Sequence, residues 1–150
     1  MAKTWFIDID GTIAIHREND WLDEQLSTMN QTYGGSPDTI LPGVKEFWAS
    51  IPDEDIIVIT SARHENHRIL TELFLDKYSL RYNHIIMDLA SGPRIVVNDI
   101  KPPGKTKDNP HFYMKTAFAI NLERDKGPGK DLIKKAVDSS WGQISDLKSL

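Results

Sequence analysis

Two aspartates stand two residues apart just past a short apolar run: Asp8 and Asp10, with Gly11 and Thr12 directly after. A second run, Ile56-Ile57-Val58-Ile59, delivers Thr60 and Ser61, and a third, Arg94-Ile95-Val96-Val97, delivers Asn98 and Asp99. Carboxylates brought close together repel and raise each other's pKa. A hard divalent cation relieves that repulsion. An oxygen-only donor set suits Mg²⁺, which keeps several waters and takes a substrate phosphate. A carboxylate beside the ion can attack phosphorus and form an aspartyl phosphate. A second, two residues on, can protonate the leaving oxygen and later take a proton from water. Hydroxyls and main-chain N–H groups at a helix start hold phosphate oxygens. The chemistry these residue types suggest is phosphoryl transfer.

The elements that must position these groups follow from the hydrophobic pattern. Residues 4–9 read as a buried strand that stops abruptly before Gly11. Residues 55–60 read as a strand buried on both faces, since four β-branched residues follow one another without polar alternation. Short strands are predicted at 84–87, 94–97 and 116–122. Helices are predicted at about 20–33 (Trp21, Leu22, Leu26, Met29), at 41–50 with Pro42 in its first turn, at 62–78 with Ile69, Leu70, Leu73 and Phe74 inward, and near 130–139. Alternating strands and helices imply an α/β fold with a mostly parallel sheet, helices on both faces and ligands outside the carboxyl ends of the strands. In such a sheet the three polar strand ends converge on one edge.

Asp8-Ile9-Asp10-Gly11-Thr12 after a strand resembles the signature of the haloacid dehalogenase (HAD) superfamily. Ile56-Ile57-Val58-Ile59-Thr60 resembles its second motif and Val96-Val97-Asn98-Asp99 its fourth, so the resemblance covers roughly residues 3–122. It implies a three-layer α/β/α sandwich with a Rossmann-like sheet. It also implies that Asp8 is the nucleophile, that Asp10 is the general acid/base and lends its carbonyl to Mg²⁺, and that Thr60 holds the phosphoryl group. Asn98 and Asp99 complete the metal site. The usual acidic pair is Asn98-Asp99 here, and the amide brings no charge. The third-motif cation falls to Arg94, with Lys101 as second choice. Gly11, Thr12, Ser61 and Arg63 are the further phosphate-contacting candidates. Arg63 is equally readable as a salt bridge and Ser61 as a helix cap. Residues 13–40 leave room for a helix or flap rather than a cap domain, so the chain resembles capless phosphatases. A large substrate or a second copy of the chain would then close the open site.

Composition bounds the rest. With 150 residues, one domain is expected, able to bury about 70% of its unfolded surface. No cysteine is present, which excludes a thiol nucleophile and Cys-built metal sites. The formal charge of −4 argues against bulk nucleic-acid affinity. The N-terminal residues lack a signal-peptide pattern, and no apolar run approaches a membrane span, so a cytoplasmic protein without membrane contact is expected. His64-Glu65-Asn66-His67 lacks zinc-ligand spacing, and Gly104-Lys105-Thr106 lacks the P-loop glycine. The leading expectation is a Mg²⁺-dependent phosphomonoesterase acting on a sugar phosphate or similar metabolite. One alternative is a nucleotidase or polynucleotide-end phosphatase that uses Lys101, Lys105, Lys107 and Lys115. Another is a phosphatase-like fold that binds without turnover.

Overall fold

Ile57, Val58, Ile59 and Thr60 are all buried, as a run without polar alternation requires of a central strand. The computed structural model describes residues 1–29, 35–104, 107, 111–138 and 140–149. Among the described residues it is a mixed α/β chain with four α-helices and two three-stranded sheets. The chain divides into two compact units: Ala2–Ser91 with Leu122–Val137, and Gly92–Asn121 with Asp138–Leu150 and Met1.

The first unit holds strands β1 (Thr4–Asp8), β2 (Ile56–Thr60) and β3 (His84–Ile86), all parallel in the order β1-β2-β3. Its helices are α1 (Asn19–Thr28), α2 (Val44–Ser50), α3 (Arg68–Lys77) and α4 (Lys130–Val137). By register, Trp5, Ile7, Ile57, Ile59 and Ile85 share one sheet face, and these residues join Phe47, Trp48, Phe74, Leu75, Leu132 and Ala136 in the main core cluster. The indole of Trp5 meets the Phe47 ring edge-on at 5.4 Å. On the opposite face Phe6 is 60% exposed, and Ile56 and Ile86 are exposed with it. The main core cluster lies on the first face, while on the other face Val58 and Thr60 of the central strand are buried.

Local chemistry sets the helix ends. The helix expected over 41–50 starts only at Val44, because Gly43 adopts a φ of 84° that breaks the helix before it. A Cβ at Gly43 would strike the Pro128 carbonyl, and one at Gly127 (φ 77°) would strike the Pro42 carbonyl. Glycine at both places lets the two loops that lead into α2 and α4 touch backbone to backbone. The helix expected over 62–78 resolves into a 3-10 turn, Glu65–His67, followed by α3. Its buried stripe is His67, Leu70, Thr71, Phe74 and Leu75, while Ile69 is exposed. Two polar members of that stripe hide it from a hydrophobic count. The helix expected over 20–33 ends at Thr28, and residues 30–33, with Tyr33 of the insert, lie outside the described residues.

The second unit is an antiparallel sheet of β4 (Ile100–Lys101), β5 (Tyr113–Lys115) and β6 (Gln143–Ile144). The strand expected at 94–97 does not form. Ile95, Val96 and Val97 are exposed and have no ladder partner among the described residues, and the sheet begins only at Ile100. Just before it, Asn98 turns its side chain on the backbone: Nδ2 donates to the Thr116 carbonyl at 3.4 Å and Oδ1 accepts from Asp99 N–H at 3.2 Å. The strand expected at 116–122 is likewise absent. β5 ends at Lys115, the Thr116 hydroxyl donates to the Asp99 carbonyl, and Phe118 and Ile120 are exposed. Phe112 is exposed too.

Candidate active site

β1 and β2 run in register until Asp8 stands beside Thr60, and Thr60 pairs on its other side with Ile86 of β3. Paired residues of parallel strands project to the same face, so Asp8 and Thr60 stand side by side on one face where the strands end. Beyond Asp8 the chain turns tightly on one acceptor. The Ile9 carbonyl takes N–H donations from Thr12, Ile13 and Ala14 at 3.2, 3.0 and 3.1 Å. That turn brings Thr12 Oγ1 back to donate to Asp8 Oδ2 at 3.1 Å. Gly11, at φ 84°, makes the turn possible and leaves space that Arg124 fills. The Arg124 Cγ lies 2.9 Å, and its Nε 3.6 Å, from where a Gly11 Cβ would sit. Asp125 holds this segment in place, its N–H donating to the Gly11 carbonyl at 2.9 Å and its Oδ1 accepting from His16 N–H at 2.8 Å.

Asp10 is gripped by Arg63. Nε donates to Asp10 Oδ2 at 2.9 Å and Nη2 to Oδ1 at 2.8 Å, a two-pronged charge-assisted pair. The other edge of the guanidinium binds Asp38, with Nη2 to Oδ1 at 2.9 Å and Nη1 to Oδ2 at 3.1 Å. Nη1 also donates to Thr71 Oγ1 at 3.1 Å. Arg63 is 2% exposed and Asp38 3%, whereas the Asp10 side chain keeps 16% of its surface. Burial works to lower the guanidinium pKa. Hydrogen bonds and charge from Asp10 and Asp38 outweigh it and hold the pKa above its ordinary value. Arg63 is therefore a buried ion-pair centre. A guanidinium has five N–H groups, and these contacts use all five, so none remains for a phosphate.

The residues after Thr60 do not open a helix toward the site. Ser61 is 1% exposed. Its N–H donates to the Ile86 carbonyl at 2.9 Å, and its hydroxyl accepts from Arg63 N–H at 3.0 Å, so Ser61 closes a local turn where the sequence suggests a helix cap. Helical N–H groups begin only at the 3-10 turn, whose Glu65 N–H donates to Asp88 Oδ2 at 3.3 Å. Asp88, just past β3, also pairs with His64 Nδ1 at 3.0 Å. That hydrogen bond pulls its carboxyl below the ordinary value of 3.8, against desolvation.

Within the first unit the structure thus brings together Asp8, Asp10, Gly11, Thr12, Thr60, Ser61 and Arg63. Arg94, Asn98, Asp99 and Lys101 belong to the second unit, where Lys101 is part of β4 and Arg94 Nη1 donates to the Gly92 carbonyl at 3.3 Å. The sequence reading missed Asp38, Thr71, Arg124 and Asp88. Asp38 sits 25 positions from Arg63, and no spacing rule joins the two. Among the described residues, no three His, Cys, Asp or Glu side chains gather as a group that could hold a metal ion. Among them also, no helix is long and apolar enough to cross a membrane. Comparison with protein-family profiles, curated proteins and solved structures returns no match.

Proposed function

We propose that the chain is a HAD-type, Mg²⁺-dependent phosphomonoesterase that works through an aspartyl phosphate on Asp8. The observation that carries this reading is the pairing of Asp8 with Thr60 at the ends of adjacent parallel strands, with Asp10 two residues on and fixed by a bidentate partner. On this reading the first sheet is the centre of a three-layer sandwich with a minimal cap, and α1 forms the helix of the small insert.

The chemistry follows in two steps. An Asp8 carboxylate oxygen attacks phosphorus. The bond from phosphorus to the leaving oxygen breaks, and a proton from the Asp10 carboxyl goes to that oxygen. Asp10, now a carboxylate, takes a proton from a water whose oxygen attacks the same phosphorus. The phosphorus–Asp8 bond breaks, releasing inorganic phosphate and restoring both aspartates. Thr60 and Thr12 stand beside Asp8 to orient the phosphoryl oxygens and the attacking carboxylate. Arg124, laid across Gly11, brings positive charge to the motif loop, the part assigned from sequence to Arg94 or Lys101. The donors of the first unit suit a hard cation: the Asp8 carboxylate and the Asp10 main-chain carbonyl are both oxygens. Mg²⁺, when bound, supplies charge that stabilises the phosphoryl oxygens.

A phosphorylated metabolite such as a sugar phosphate suits a chain of net charge −4 better than a polynucleotide end does. The test is turnover of p-nitrophenyl phosphate with Mg²⁺. Wild type turns over and EDTA stops it, while Asp8→Asn loses more than about a thousandfold in kcat, as removal of a nucleophile does. Wild-type rates in Asp8→Asn would overturn the assignment.

A further inference from the structure

Behind Asp10 stands a relay of side chains, Arg63 binding Asp10 while Asp38 and Thr71 bind Arg63, and this arrangement assigns them a task. The Arg63 guanidinium is locked on every edge. Asp38 and Thr71 take three of its donations and Asp10 takes the other two. Its main chain is fixed as well, with N–H donating to Ser61 Oγ at 3.0 Å and the carbonyl accepting from Asp88 N–H at 2.8 Å. Thr71 is itself held, its hydroxyl donating to the His67 carbonyl at 3.1 Å. Asp38 is braced in turn, since its N–H donates to Ser36 Oγ at 3.0 Å. The chain thus surrounds one cation with fixed partners and leaves Asp10 as its most exposed contact.

We propose that Arg63, anchored by Asp38 and Thr71, is a positioning residue that aims the Asp10 carboxyl group at the scissile oxygen and is not a ligand of the substrate phosphate. The proposal rests on the phosphomonoesterase reading and deepens it. A carboxyl oxygen has two acceptor sites, and each Asp10 oxygen gives one to Arg63. The fork holds both Asp10 oxygens and so fixes the orientation of the group. The segment that ends the 13–40 insert thereby acts on the chemistry through Asp38, without touching substrate.

The experiment uses the full chain with Mg²⁺ and compares p-nitrophenyl phosphate, whose leaving group needs no proton, with an alkyl phosphate, whose leaving group does. In Arg63→Lys a point charge replaces the fork. Its kcat/KM for the alkyl phosphate falls about 10- to 100-fold, part of the roughly 10²- to 10⁴-fold that general acid catalysis supplies, and for p-nitrophenyl phosphate about threefold or less. Inhibition by inorganic phosphate stays within about twofold, because no phosphate contact is lost. Asp38→Asn, nearly isosteric, shows the same leaving-group dependence at smaller amplitude and reads the proposal if Arg63→Lys does not fold. In an Asp10→Asn background Arg63→Lys adds nothing further, since both act through one group. Equal losses on both substrates, weakened phosphate inhibition or additive losses would overturn the positioning role while leaving the phosphatase reading intact. A wild-type chain without turnover on either substrate would overturn both.

Discussion

Removing one partner of a buried ion pair leaves the other charges uncompensated, at a cost of about 3–5 kcal/mol. Arg63, sealed between Asp10 and Asp38, is such a case. Arg63→Ala should therefore lower unfolding free energy by that amount in urea titration, far more than loss of an exposed phosphate-binding arginine would. Arg124 is the opposite case. It is exposed, with its stem across Gly11, so Arg124→Ala should raise KM for a phosphate ester several-fold while shifting stability by less than about 0.5 kcal/mol. Unchanged KM would remove it from the site. The two arginines also show where residue-level reading of the sequence ends. Asp8, Asp10 and Thr60 are legible because each follows an apolar run that ends abruptly. Arg63 follows Thr60 closely, yet its partners lie 53 and 25 positions away, and separations of that kind leave no periodic trace.

Among the elements, β1 and β2 are visible in sequence because their apolar runs have nowhere to go but a buried sheet. The run at 94–97 has the same residue types and forms no strand. Residue type reports β-propensity and says nothing of whether a neighbour is present to complete the ladder. The start of the sheet carries its own stabilising contact. Asp55 accepts from Lys3 N–H and Trp5 Nε1, both at 2.9 Å, and pairs with Lys3 Nζ at 3.0 Å, tying the entry of β1 to that of β2. Burial raises the Asp55 pKa, but these bonds outweigh it and bring the value below 3.8. A carboxyl with a lowered folded pKa stabilises fully above its unfolded value, and the benefit is lost as pH falls through the folded value. Stability should therefore hold down to about pH 4 and decline below it. Asp55→Asn should lose about 1–3 kcal/mol at neutral pH and show a shallower acid limb, which denaturation at several pH values measures. An acid limb unchanged in the variant would show that other carboxylates govern it. At the entry to α2, Gly43→Ala meets both a φ of 84° and the Pro128 carbonyl, so a loss of about 1–3 kcal/mol is expected.

For the whole molecule, net charge and the reaction class set the expectations. A chain of charge −4 gains little from a polyanionic substrate. Turnover of a small phosphorylated metabolite should change little between low and high salt. A rate on oligonucleotide ends that fell steeply with salt, and exceeded the metabolite rate, would favour the polynucleotide reading. The central claim is covalent, and trapping the intermediate tests it most directly. The wild-type chain, mixed with p-nitrophenyl phosphate and Mg²⁺ and quenched in acid, should yield by peptide mass spectrometry a phosphoryl increment on Asp8, removable by hydroxylamine and missing in Asp8→Asn. Turnover with the increment on another residue, or with none on Asp8 at any quench time, would contradict the account.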